Sequence, residues 1–135
     1  MIVRITPSTL AVLDEAARCF GREPAGAAFV EAPGTLAFVA GNGPDVQGWC
    51  WGYLLPRPDG ATMLYLHNLE VAPAHRRRGV GRALLRAFMR AGRDRGATTM
   101  FLTTGEHNTA ARTLYESEGA GLADQGPTVN YWFVL

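Results

Sequence analysis

The feature that most constrains this chain is the stretch from Tyr65 to Arg95, YLHNLEVAPAHRRRGVGRALLRAFMRAGRDR. It reads as a buried strand, a turn at Pro73, a basic glycine loop and an amphipathic helix. Val80, Leu84, Ala87, Phe88 and Ala91 recur at helical spacing on one stripe, and Arg82, Arg86, Arg90 and Arg93 on another. A helix with that pattern docks its apolar stripe on a sheet and leaves its arginines in water.

The loop ahead of the helix carries the chemistry. Arg76, Arg77 and Arg78 precede Gly79-Val80-Gly81, where the helix begins. A helix N-terminus presents free N–H groups and the positive end of a dipole, so it attracts phosphate. Glycines let the backbone approach such a ligand, and arginines add charge for a diphosphate. The loop therefore reads as a pyrophosphate cradle with no metal ligands of its own. It is not a P-loop, because Arg82-Ala83 stand where Lys and Ser or Thr are needed. It is not a dinucleotide fingerprint either, because Leu84 stands where a third glycine belongs.

The rest of the chain supplies a sheet for that helix. Met1 to Ile5 alternates as a first strand would. Thr6-Pro7 starts a helix with Leu10, Leu13, Ala17 and Phe20 on its inner stripe, and Gly21 ends it. Arg22 to Pro33 is short, with a helical turn or two around Ala27–Val30. Strands follow at Thr35–Ala40, Gln47–Leu55 and Ala61–Val71, separated by turn residues. Trp49, Trp51 and Tyr53 share one face. After the basic helix come a strand at Thr98–Thr103, at a buried parallel position, a helix opened by His107 or Asn108, and a final strand at Thr128–Leu135. The order βαβββαβαβ makes one mixed α/β domain over residues 1–135.

Charge sharpens this reading. The net charge is +1, yet residues 76–95 hold eight arginines and one aspartate, while the remainder holds five arginines and eleven acids. A basic cofactor site on an acidic body suits an anionic cofactor and a cationic acceptor. The two cysteines, Cys19 and Cys50, lack metal spacing and read as reduced thiols at or near the core of a cytoplasmic protein. No apolar run is long enough to span a bilayer, and Met1–Arg4 lacks a signal-peptide pattern. Nucleic-acid binding through the arginine-rich helix is disfavoured by the near-neutral charge and the lack of a reader fold.

Arg76-x-x-Gly79-x-Gly81-x-Ala83-Leu84-Leu85, preceded by Leu69-Glu70-Val71-x-Pro73, resembles the acetyl-CoA signature of the GNAT N-acetyltransferases. The second half of the resemblance is Asn108-x-x-Ala111-x-x-Leu114-Tyr115-x-x-x-Gly119. The resemblance implies a mixed, mostly antiparallel central sheet flanked by helices and splayed at the central strand. It implies acetyl-CoA as co-substrate, with Leu69, Glu70 and Val71 pairing with pantetheine and Arg76, Arg77, Arg78, Gly79, Val80, Gly81, Arg82 and Ala83 holding pyrophosphate. Asn108, Ala111, Leu114 and Tyr115 would border the thioester end, with Tyr115 protonating the leaving thiolate. The central strand is expected to bulge or splay near Leu69–Val71.

The acceptor amine must lose a proton, and two residues of the central strand qualify, His67 and Glu70. A histidine has a reference pKa of about 6.5, suited to a base. Regular alternation puts the two on opposite faces unless a bulge re-aims one. His75 reads as solvent-facing or near phosphate. Phe20-Gly21-Arg22-Glu23, Tyr53-Leu54-Leu55-Pro56-Arg57 and the stretch from Leu64 onward also resemble class I aminoglycoside 3-N-acetyltransferases. That resemblance implies a small-molecule amine acceptor, an aminoglycoside first, and a role in antibiotic resistance. Asn68 and Asn108-Thr109 depart from it, each removing negative charge. Glu70, Glu106 and Asp124 are the acids expected to line the acceptor groove. Protein N-terminal or lysine acetylation and a non-catalytic CoA-binding module are the alternatives, and the partners expected are a small amine and a second copy in a homodimer, with neither nucleic acid nor membrane.

Overall fold

A computed structural model describes residues 1–135, apart from the side chain of Asn42. The elements are β1 (Ile2–Arg4), a 3-10 turn (Pro7–Thr9), α1 (Leu10–Cys19), α2 (Gly26–Glu31), β2 (Thr35–Asn42), β3 (Asp45–Pro56), β4 (Thr62–Val71), α3 (Val80–Asp94), β5 (Thr99–Phe101) and α4 (Thr109–Ser117). The five strands form one sheet in the order β1-β2-β3-β4-β5, antiparallel except for the parallel β4–β5 pair. This is the mixed, mostly antiparallel α/β architecture the sequence implied. The chain divides into two compact units, Met1–Thr103 with the whole sheet and Thr104–Leu135 with α4.

Strand β3 shows why the first unit is layered as it is. Its residues alternate small and aromatic, Gly48, Cys50 and Gly52 against Trp49, Trp51 and Tyr53. Side chains of a strand alternate between faces, so one face is bare and the other carries rings. Helix α3 packs on the bare face, where a Cβ on Gly48 would meet Leu84 at 3.1 Å and one on Gly52 would meet Phe88 at 2.8 Å. Gly92 of α3 approaches Leu64 as closely. Leu84, Leu85, Phe88 and Ala91 are buried in this layer. Burying each large side chain contributes about 1.5–3 kcal/mol. The Cys50 thiol points into the layer, and burial pushes its pKa far above the ordinary range.

The opposite face is covered by α1 and α2. Leu13, Ala16 and Ala17 pack there with Ala37, Val39, Val46 and Trp49. The Phe20 ring lies parallel to Trp49 at 5.6 Å, and Phe29 meets Trp51 edge-on at 5.9 Å. Gly21, at φ 71°, stops α1 as its place in the sequence suggested.

Four expectations need correction. Residues 128–135 form no strand, and Val129 and Tyr131–Leu135 are exposed. Strand β5 is parallel but lies at the sheet edge, with Thr99 and Phe101 exposed rather than buried. Cys19 is exposed, not near the core; partial desolvation and the Glu15 carboxylate raise its thiol pKa. His75 is not solvent-facing: its side chain is 19% exposed and its Nε2 lies 3.3 Å from Asp45 Oδ1.

Candidate active site

The site begins with a fault in the sheet. Trp51 pairs with Asn68 and Gly52 with Leu66, so His67 is one residue too many for the opposing strand. A bulge of this kind leaves the extra residue unpaired and resets which side chains face which way. Tyr65 stands opposite Tyr53, and Glu70 opposite Trp49, both on the ringed face. His67 joins them there, its ring 4.5 Å from Trp51 and 5.3 Å from Tyr65. The two candidate bases thus share one face. The bulge sits at residues 66–68, upstream of the expected Leu69–Val71.

The two bases have different surroundings. Glu70 Oε1 accepts a hydrogen bond from Trp49 Nε1 at 3.2 Å and lies 3.4 Å from an Arg22 guanidinium nitrogen. His67 is exposed among rings. Beyond it, Phe101 of β5 stacks on Tyr65 at 4.5 Å and 11°. Among the described residues, Trp51 Nε1 and Asn68 Nδ2, from one cross-strand pair, are buried without a hydrogen-bond partner. A buried donor left so costs about 1–3 kcal/mol unless water or a ligand satisfies it.

Strand β5 pairs with β4 only at Met63, Leu64 and Tyr65. From Leu66 to Val71 that edge of β4 has no neighbouring strand among the described residues. It is the splay the sequence implied, an edge without a strand partner that stops at Val71, whose carbonyl Arg76 holds.

The arginine loop begins where β4 ends. Arg76 Nε donates to Val71 O at 3.1 Å and ties the loop to the strand. Arg77 has φ 62°, the one non-glycine residue with positive φ among those described, and Gly79 has φ 80° as the N-cap of α3. Such turns gather successive N–H groups into an anion-binding concavity. The first intrahelical bond of α3 runs from Ala83 N to Gly79 O at 3.0 Å, and no side chain caps the helix. The amides of Val80 and Gly81 precede that bond, in the first turn of the helix. Arg76, Arg77 and Arg78 are exposed beside them. These residues fit a diphosphate.

In the second unit, Asn108 caps α4, its Oδ1 accepting from Ala111 N at 3.2 Å. Ala111, Leu114 and Tyr115 of α4 are half-buried, and Glu106 and Asp124 are exposed. Sequence reasoning missed Arg22 as the partner of Glu70 and Phe101 as an outer ring. Neither has a local signal, since both contacts join elements distant along the chain. The approach of α3 to β3 did have one, in the alternation of small and aromatic residues from Gly48 to Tyr53.

The chain matches the acetyltransferase (GNAT) family over residues 9–120, and it belongs to that family. Rat N-acetyltransferase 8 (Rattus norvegicus) is 40% identical over 62 residues, 46% of this chain and 28% of that protein. The chain spans between a quarter and two-fifths of the length of the curated relatives it matches. Among solved structures, an aminoglycoside acetyltransferase from an uncultured soil metagenomic sample, in complex with sisomicin, has a TM-score of 0.86 at 17% identity, covering 100% of this chain and 95% of that one. An aminoglycoside N-acetyltransferase in complex with CoA has a TM-score of 0.80 at 19% identity, covering 98% and 93%. These likenesses establish a shared fold. Among the described residues no helix is long and apolar enough to cross a membrane.

Proposed function

We propose that the protein transfers an acetyl group from acetyl-CoA to a primary amine of a small molecule. The observation that carries this reading is the uncapped start of α3, with Arg77 and Gly79 in left-handed conformations, directly after the unpaired edge of β4. A diphosphate suits the first, through the amides of Val80 and Gly81 and the guanidinium groups of Arg76, Arg77 and Arg78. The amides of pantetheine suit the second, along Leu69–Val71, and Asn108, Ala111 and Leu114 would border the thioester end. A neighbour of the same fold was solved with CoA, which supports the donor.

In the reaction, the neutral amine attacks the thioester carbonyl, a C–N bond forms and the C–S bond breaks. His67 takes the proton from the amine, directly or through water, and a backbone N–H of β4 stabilises the oxyanion. Tyr115 returns a proton to the thiolate. Aminoglycosides are the first acceptor class to assay, since neighbours of this fold are aminoglycoside acetyltransferases. A homodimer is part of the same reading, supported by the exposed apolar run at Tyr131–Leu135.

The test is a thiol-release assay over amines, aminoglycosides and peptides, with CoA affinity by calorimetry. Tyr115→Phe is expected to keep CoA affinity and lower the maximal rate by roughly a hundredfold. Arg77→Gly is expected to weaken CoA binding about tenfold without loss of stability, because glycine relieves a strained φ. A Phe variant at full speed, with chemistry rate-limiting, removes the proton-donor role. Unchanged CoA affinity in Arg77→Gly removes the cradle.

A further inference from the structure

We propose, building on the acetyl-transfer reading above, that the acceptor is a monoamine carried on a flat aromatic body, selected by the ring wall of β3, β4 and β5. The wall is graded in exposure. Trp51, Tyr53 and Tyr65 are half-buried, His67 is exposed, and Phe101 is 41% exposed. The rings touch in series, Trp51 to His67 at 4.5 Å, His67 to Tyr65 at 5.3 Å and Tyr65 to Phe101 at 4.5 Å. Its outer end is therefore aromatic surface facing solvent beside the bulge that carries the proposed base. Aromatic faces attract an ammonium group and stack with a flat ring.

Charge argues the same way. Glu70, on the same face, is already engaged by Trp49 and Arg22. Asn68, opposite Trp51, is neutral. A polycation would bring several ammonium groups to a face where the Glu70 carboxylate is already taken, and ammonium groups that lose water without a partner are costly. A monoamine brings a single ammonium, the one that reacts, to the neighbourhood of His67, and its aromatic body covers exposed ring. The bulge couples the two features, because it puts His67 and Tyr65 on the same side as Trp51 and Glu70.

The experiment is calorimetry on the CoA-loaded protein with phenethylamine, its ring-saturated counterpart cyclohexylethylamine, spermidine and gentamicin. Phenethylamine is expected to bind about tenfold more tightly than each of the others. Phe101→Ser, at an exposed edge position, is expected to remove most of that preference while CoA affinity stays unchanged. Spermidine or gentamicin binding as tightly as phenethylamine overturns the proposal, as does absence of phenethylamine binding. So does a preference that survives both Phe101→Ser and Tyr65→Leu. Thiol release, measured separately, keeps the two readings apart. Phenethylamine bound but not acetylated removes acetyl transfer and leaves the ligand class standing, whereas acetylation confined to gentamicin removes the ligand class and leaves acetyl transfer standing.

Discussion

Glu70 accepts from the Trp49 indole and pairs with Arg22, while His67 stands exposed among rings on the same face. An engaged carboxylate has less freedom to take a proton from an incoming amine. Its pair with Arg22 is partly exposed, and exposed pairs of this kind are worth about 0–1 kcal/mol. Glu70→Gln is therefore expected to cost little stability and to leave most of the rate. His67→Gln is expected to lower the maximal rate by roughly a hundredfold. The reverse ranking in paired steady-state measurements would transfer the role to Glu70.

At the scale of elements, the site depends on how closely α3 lies on β3. A Cβ on Gly52 would meet Phe88 at 2.8 Å and also the Tyr65 carbonyl, which cannot move without disturbing the bulge. Gly52→Ala is expected to cost about 1–3 kcal/mol, the usual range for overpacking. A denaturant melt with an unshifted midpoint would refute the close packing. The strand, loop and helix from Tyr65 to Arg95 were legible because their signals are local: an apolar run, a glycine pair and a helical stripe. The bulge was misplaced by a few residues because its position is set by Gly52 meeting Tyr65 and Phe88 across the sheet. The final strand failed for a related reason. Thr128–Leu135 has strand-forming residues, but a strand exists only with a neighbour, and propensity does not supply one. His67 and Glu70 were singled out by residue type and place on the strand, and the bulge brings both to one face. The ring wall around them was only half seen, as Trp49, Trp51 and Tyr53, because Phe20, Phe29 and Phe101 arrive from other elements.

At the scale of the whole molecule, apolar surface and charge are both unevenly spread. Tyr131, Trp132, Phe133, Val134 and Leu135 are each at least 81% exposed. Exposed apolar patches on folded proteins often serve as interaction surfaces. Light scattering at rising concentration is expected to give a dimer for the full chain, and a lower association for a variant with Trp132→Ser and Val134→Ser. A full chain that stays monomeric at high micromolar concentration would rule out the homodimer.

The bulge has a consequence for how this chain can change. Deleting one residue from the middle of a strand ordinarily turns every later side chain to the wrong side of the sheet. Here Leu66 already faces Gly52 and Asn68 already faces Trp51, with His67 as the surplus between them. Removing His67 would close the ladder and leave every cross-strand partner where it is. The proposed base is thus an insertion within an otherwise regular strand, which a lineage can gain or lose in one codon while the core stays as it was.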